Sequence, residues 1–422
     1  MPTSPPDAAA SSSPARDFGP RSFILFGLGS GISFSGTWAQ RTAFGWLAWD
    51  LTHSVAWVGA LALADLIAAL WVAPFAGTVT DRSHPGRLLY VTEGASMLLA
   101  LALCALTAAD TLSIHGLMLF ALAAAALRGF SQPAQMLLPG LLAPEERLSQ
   151  AVATSAVTIA LACAVGPAVA GLVMHLTGSV APVFAFNALT YLVLFAALFH
   201  LRRQLHRPPP RHRAAFLAEL CEGIAHVAGN PALTGVFVVT LGFSFLARPF
   251  AELLPAFAGE VFGGGPGTLS LLMSAQGIGA VVGAVVMLRC QRRAALLRIL
   301  YGASFGIVLA LLAFVSADTL ERALPAIAAA GFCHVVCNIA MQSLCQLDST
   351  AALRGRVIAL YGMLFRVGPT VGAFCIAQAE SLFPLGTLVG VCALAYALMV
   401  GVMSLRQRTV QDETLVTEEH PR

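Results

Sequence analysis

Apolar runs of about 20 residues, each long enough to cross the hydrocarbon core of a bilayer as a helix, follow one another from near residue 21 to near residue 405. Such continuous runs leave little choice of fold. With 58% of the 422 residues hydrophobic, 11% charged and a mean hydropathy of +0.80, the chain does not read as a water-soluble globule. A membrane β-barrel is excluded by pattern, because its strands would read as short alternating segments. The expected class is an all-α integral membrane protein with twelve transmembrane helices. Their expected limits are 21–49, 54–79, 86–108, 112–138, 147–176, 180–201, 232–257, 266–288, 294–316, 322–347, 353–379 and 383–405.

Charge asymmetry supports that count, since short cytoplasmic loops are enriched in Lys and Arg. All 24 basic residues are arginine, a bias expected of a GC-rich bacterial genome. With the N-terminus inside, nineteen arginines fall on cytoplasmic segments and Arg322 alone falls outside. Arg41, Arg128, Arg248 and Arg366 lie within the membrane segments. An odd number of crossings would scramble this partition, so both termini are placed in the cytoplasm of a bacterial inner membrane. Residues 1–20, rich in Ser, Pro and Ala and lacking an apolar core, read as a disordered cytoplasmic tail and not a cleaved signal. Residues 406–422 read as a second cytoplasmic tail.

The two halves are related. A shift of 206 residues places Gly77 on Gly283, Arg87 on Arg293 and Ala134 on Ala340, and a shift of 207 places Arg41 on Arg248. Recurrent offsets near half the chain length point to duplication of a six-helix unit. The expected organisation is two pseudo-symmetric six-helix bundles, 21–201 and 232–405, joined by a cytoplasmic linker, 202–231. The linker opens with the basic, Pro-rich run RRQLHRPPPRHR. Phe216, Leu217, Leu220, Ile224 and Val227 then form an apolar stripe opposite Glu219, Glu222 and His226, the pattern of an amphipathic helix lying at the membrane surface. After six crossings the arginine run is a topology signal and not a nucleic-acid site.

Between the second and third crossings, PFAGTVTDRSHPGRLL concentrates Gly77, Asp81, Arg82, Gly86 and Arg87 in an otherwise apolar stretch. The fifth crossing carries Gly166, Pro167 and Gly171, and the eleventh carries the similar Gly368, Pro369 and Gly372. These segments resemble the major facilitator superfamily. The charged loop resembles its signature between the second and third helices, and the Gly-Pro segment resembles the fifth-helix pattern of its proton-coupled exporters. Residues 128–144, 187–191 and 354–372, with Trp38 and Arg41 in the first crossing, are similar to the branch containing enterobactin-type siderophore exporters and drug effluxers. The resemblance spans roughly residues 20–405 and departs at two points. Ser83, His84 and Pro85 stand where the family pattern has one residue, and the second-half copy has Met287 and Leu288 in place of Asp-Arg.

The resemblance implies the major facilitator fold and a cytoplasmic latch made of Gly77, Asp81, Arg82, Gly86 and Arg87. A helix N-terminus carries partial positive charge, so Asp81 is expected to meet the start of the eleventh helix when that side is closed and to leave it when open. Gly166, Pro167, Gly171, Gly368, Pro369 and Gly372 are expected at hinges or close helix contacts.

Charge at bilayer depth is the sharpest clue to a site, since each such group costs at least about 2.5 kcal/mol at a helix centre. The set is Arg41, Asp65, Arg128, Arg248, Glu252 and Arg366. Arg248 and Glu252, four apart, are spaced to neutralise one another on one helix face. Asp65 is a candidate proton carrier, with Glu93 a second. Arg128 and Gln132 resemble the Arg and Gln that the superfamily places beside its cavity. Gln132, Gln135, His334, Asn338, Gln342 and Gln346 are expected either to line a central site or to bond between helices. Four arginines against two acids leave the interior positive, which favours an anionic cargo.

Other classes fit less well. An ATP-driven pump needs the lysine of a phosphate-binding loop, and the chain has none. A membrane enzyme needs a polar catalytic cluster, which is absent from the sequence. The nine cysteines show no disulfide framework or metal spacing. No cofactor, metal, nucleotide or nucleic acid is expected. The expected protein is a monomeric secondary active transporter working by alternating access in a lipid bilayer, exporting a small organic molecule in exchange for protons. The cargo is read as a siderophore-like or other anion, or a drug. Alternatives are multidrug efflux of lipophilic compounds and an uncoupled facilitator or lipid flippase.

Overall fold

The computed structural model describes residues 20–142, 148–201, 216–288, 292–350 and 353–419, and no strand occurs among them. Lipid offers no partner for backbone N–H and C=O groups, so each apolar run must satisfy them internally as helix. The first half forms α1 (Pro20–Thr52), α2 (Val55–Arg82), α3 (Pro85–Ala108), α4 (Ile114–Leu142), α5 (Leu148–Thr177) and α6 (Ala181–Leu201). The extra residues in the charged loop cost little: Ser83 and His84 make the turn, and Pro85 opens α3 at a position where its missing N–H is no loss.

A short helix, α7 (Phe216–Gly229), follows the linker. Of its expected apolar stripe, Val227 is buried and Ile224 is exposed. Glu222 pairs with Arg356. Asn230 then caps the next helix, its Oδ1 accepting from the N–H groups of Ala232 and Leu233 at 3.0 and 3.4 Å.

The seventh crossing departs from the uniform helix expected over residues 232–257. It starts as α8 (Pro231–Gly242), widens into a π turn over Phe243–Ala247, tightens into a 3₁₀ turn over Pro249–Leu253, passes through one turn, α9 (Leu254–Ala256), and ends in a second π turn over Phe257–Val261. Pro249 and Pro255 are the cause, because proline has no N–H to give and clashes with the preceding turn. The crossing is completed by the wider bond from Arg248 N–H to Phe243 O at 3.0 Å. Then come α10 (Pro266–Met287), α11 (Arg293–Val315), α12 (Leu320–Leu347), α13 (Arg354–Ala379) and α14 (Leu385–Glu419). The last helix runs past the expected end at residue 405, because the polar stretch after it still consists largely of residues that tolerate a helix.

Helices α1 to α6 pack among themselves, as do the seventh crossing and α10 to α14. Between the bundles the main contacts are α5 with α10 and α2 with α13. Exchanging the halves turns one contact into the other, as a two-fold pseudo-axis requires. The face holding the start of α1, the end of α6 and α7 is the linker face; the opposite one is the far face.

Contacts between bundles gather towards the far face. Gly59 lies against Ala377, Gly45 against Pro255, Gly259 against Trp49 and Gly171 against Ser270. Ser270 Oγ also donates to Pro167 O at 3.3 Å. At Gly171 any Cβ would overlap the Ser270 side chain, so this approach needs glycine. Within the second bundle, Gly372 meets Pro249 and Phe245, and Gly368 meets Ser244, which seats the bent seventh crossing on α13. Gly166 meets Trp38 of α1.

Candidate functional site

Between the bundles lies a cavity of about 530 Å³. Its wall includes Arg41, Asp65, Arg128, Arg248, Glu252 and His334, set among apolar groups such as Phe44, Leu61 and Val281. It follows α10 from Met273 to Leu288, and α10 ends at the linker face. The void therefore extends towards the linker face, while the far face is held by the glycine contacts.

The charged groups sort into two kinds. Arg41 of α1 donates through Nη2 to both oxygens of Glu252, at 3.0 and 2.9 Å, and its guanidinium lies 5.3 Å from the Trp38 ring centre. Arg128 of α4 pairs with Asp65 of α2, and Arg41 and Arg366 stand further from the same carboxylate. Arg248 and Arg366 form no salt bridge among the described residues. Arg248 lies 4.1 Å from the Phe365 ring centre and donates to the Phe365 carbonyl. Arg366 reaches from α13 to Gln132 of α4, donating to its Oε1 at 3.1 Å.

Arg248 and Glu252, expected to neutralise one another, form no direct salt bridge, although the Glu252 carboxylate still acts on Arg248 from further away. The two are separated by the 3₁₀ turn, where three residues complete a turn and side chains four apart no longer stack. Glu252 instead faces the other bundle and meets Arg41.

The remaining expected residues are spread more widely. Gln132 is half-buried and engaged by Arg366, which is exposed; neither belongs to the cavity wall. Asn338 and Gln342 are half-buried on α12 and do not belong to the cavity wall; the Asn338 carbonyl accepts from Tyr361 at 3.1 Å. His334 packs by its ring against Phe243 and Phe365. In the charged loop, Gly86 is buried and Arg87 exposed, whereas the side-chain positions of Gly77, Asp81 and Arg82 lie outside the described residues.

Behind the cavity lie buried polar groups, of which Gln40 and Asn187 are not among the expected site residues. Gln40 lines the void and accepts from Asn187 Nδ2 at 2.7 Å; Asn187 also approaches the Tyr191 hydroxyl at 3.5 Å. Glu93, 4% exposed, accepts from Gln135 Nε2 at 2.7 Å. For the missed pair, polar Asn187 inside an apolar run was the available signal.

The family model described as transmembrane secretion effector matches residues 12–421. The chain belongs to that family, within the major facilitator superfamily. A curated relative, the staphyloferrin A transporter of Staphylococcus aureus (strain NCTC 8325 / PS 47), is 24% identical over 289 residues, covering 67% of this chain and 71% of the relative. A bacterial homologue of the iron transporter ferroportin, solved in an inward-facing state, superposes with a TM-score of 0.71 at 13% identity, over 91% of this chain and 98% of the other. The nucleoside transporter NupG gives 0.69 at 13% identity over 91% and 98%. A bacterial homologue of Spinster gives 0.65 at 12% identity over 92% and 95%. These structures share the fold. The protein is a membrane transporter of the major facilitator type, not an enzyme.

Proposed function

We propose that this transporter exports a small anionic organic molecule of the siderophore kind, in exchange for protons, across a bacterial inner membrane. The observation that carries the reading is the division among the four arginines. Arg41 and Arg128 are neutralised by Glu252 and Asp65. Arg248 and Arg366 hydrogen-bond only to neutral groups, the Phe365 carbonyl and the Gln132 amide oxygen, with the Glu252 and Asp65 carboxylates further off. A guanidinium at bilayer depth with no carboxylate in direct contact is costly, and an anion that arrives can share it. The relative named for staphyloferrin A supports a siderophore-like cargo, and the family's description as secretion effectors supports outward movement.

The arginine-rich loops support a cytoplasmic linker face, so cargo would enter the cavity from the cytoplasm. Rocking of the bundles, acting as a monomer, would open the glycine contacts at the far face and close the linker face. There Gly77, Asp81, Arg82, Gly86 and Arg87 would serve as the latch against the start of α13. Arg41, Asp65, Arg128 and Glu252 would hold the bundles in register around the cargo, with Gln132 presenting Arg366. Asn338 and Gln342 would support the cavity from α12. Gly166, Pro167 and Gly171, with Gly368, Pro369 and Gly372, would act as pivots.

The test is flux in proteoliposomes with an anionic polycarboxylate chelator, calcein, against a cationic dye, ethidium. Calcein should be carried. Arg248→Gln should weaken its apparent affinity roughly ten- to a hundredfold, the loss of a charged hydrogen bond worth about 1.5–3 kcal/mol. Movement of ethidium alone sinks the anionic reading and favours multidrug efflux, which the apolar part of the cavity wall would suit.

A further inference from the structure

The cavity's two carboxylates are both paired with arginine, yet a third carboxyl lies outside the cavity wall with a different set of neighbours. Glu93 sits on α3, 4% exposed, inside the first bundle. Its close partners are neutral: Gln135 Nε2 at 2.7 Å, with the Ser131 hydroxyl beside it, both on α4. The charged or titratable groups facing it from the packed helices are Arg128 of α4, which is engaged with Asp65, and Tyr191 of α6. Glu93 takes part in no salt bridge among the described residues. Burying a carboxylate without a cation is expensive, and a bound proton removes that cost.

Polar groups stand between it and the cavity. Thr37 and Gln40, one turn apart on α1, both belong to the cavity wall. Behind them Asn187 donates to Gln40 and approaches the Tyr191 hydroxyl at 3.5 Å, and Thr37 and Glu93 both act electrostatically on that hydroxyl. Gln40, Asn187, Tyr191 and Glu93 are each 5% exposed or less, so the groups between the cavity and Glu93 are buried hydroxyls and amides.

We infer that Glu93 is the proton-binding site coupled to transport, loaded and emptied through Tyr191 and the Thr37–Gln40 segment of the cavity wall, while Asp65 serves as the counter-charge of Arg128. This rests on the reading of proton exchange given above. The step is simple acid–base chemistry: one proton adds to a carboxylate oxygen of Glu93 and leaves by the same path when the cavity faces the other side.

Two measurements on the full-length protein test it. In infrared difference spectra at neutral pH, wild type should show a carboxylic-acid C=O band that is missing from Glu93→Gln. Absence of the band in wild type, or its survival in the variant, overturns the assignment whatever the cargo is. In proteoliposomes, with whichever of calcein or ethidium the wild type carries, Glu93→Gln should retain cargo-for-cargo exchange but lose accumulation driven by a pH gradient. Glu93→Asp should recover part of that accumulation. A variant that still accumulates like wild type sinks the role of Glu93 and leaves proton exchange standing. If an uncoupler has no effect on wild-type accumulation, the exchange reading itself fails, and the coupling role of Glu93 falls with it.

Discussion

In the first bundle the interior contains two hydrogen-bonded polar sets, Glu93 with Gln135 and Asn187 with Gln40, Thr190 and Tyr191. The second bundle, built on the same six-helix plan, centres on Phe243, whose ring meets those of His334, Phe365 and Tyr396 at 5.6, 6.2 and 6.0 Å. Carrying the 206-residue shift across, Glu93 falls on Ile299, Gln135 on Met341 and Asn187 on Ala393. A shared backbone plan therefore does not dictate what fills it. Inside a membrane bundle a polar interior is tolerable when its groups are mutually satisfied, and an apolar one when its shapes interlock, because lipid supplies neither water nor a hydrophobic drive between helices. The proposed division of labour follows this difference: the polar half handles the proton, and the aromatic half presents Arg248 to the cargo.

That contrast can be broken by measuring unfolding of detergent-solubilised variants. Phe243→Ala should be the most damaging, since it empties the centre of an aromatic cluster. The loss should be about 3 kcal/mol, at the low end of the range for buried Phe because lipid-facing states lose no transfer term. Asn187→Ala leaves Gln40 without its donor and should cost about 1–2 kcal/mol. Should Asn187→Ala prove the costlier of the two, the polar half is held together as tightly as the aromatic half and the contrast is lost. Tyr396→Phe sharpens it further by removing a single 2.9 Å bond to Ser304 beside the aromatic cluster. It should cost only about 0.6 kcal/mol, the mean for hydrogen bonds between membrane helices. Arg322→Gln, which breaks an exposed pair with Asp318 at 3.8 Å, should leave the transition unmoved.

Much of the architecture was legible in one dimension because the bilayer imposes one-dimensional rules. Length and apolarity mark the crossings, and the offset between Gly77 and Gly283 betrays the duplication. Even the break in the seventh crossing had a visible cause in Pro249 and Pro255, although the apolar run around them reads as a continuous helix. No direct Arg248–Glu252 salt bridge forms for that reason: the expectation assumed α-helical spacing through a segment that proline had rewound.

By itself the sequence determined the number of crossings, the two-fold plan and the set of charges that must find shelter in the membrane. These follow from local hydropathy and from the cost of burying charge, neither of which needs a neighbour to be known. Only the tertiary structure decided how those charges are shared. Arg41 meets Glu252 across 211 positions of sequence and Arg128 meets Asp65 across 63, leaving Arg248, Arg366 and Glu93 with neutral hydrogen-bond partners. An ion pair depends on a few ångströms of approach between helices, and nothing in the order of residues along a single helix specifies that distance.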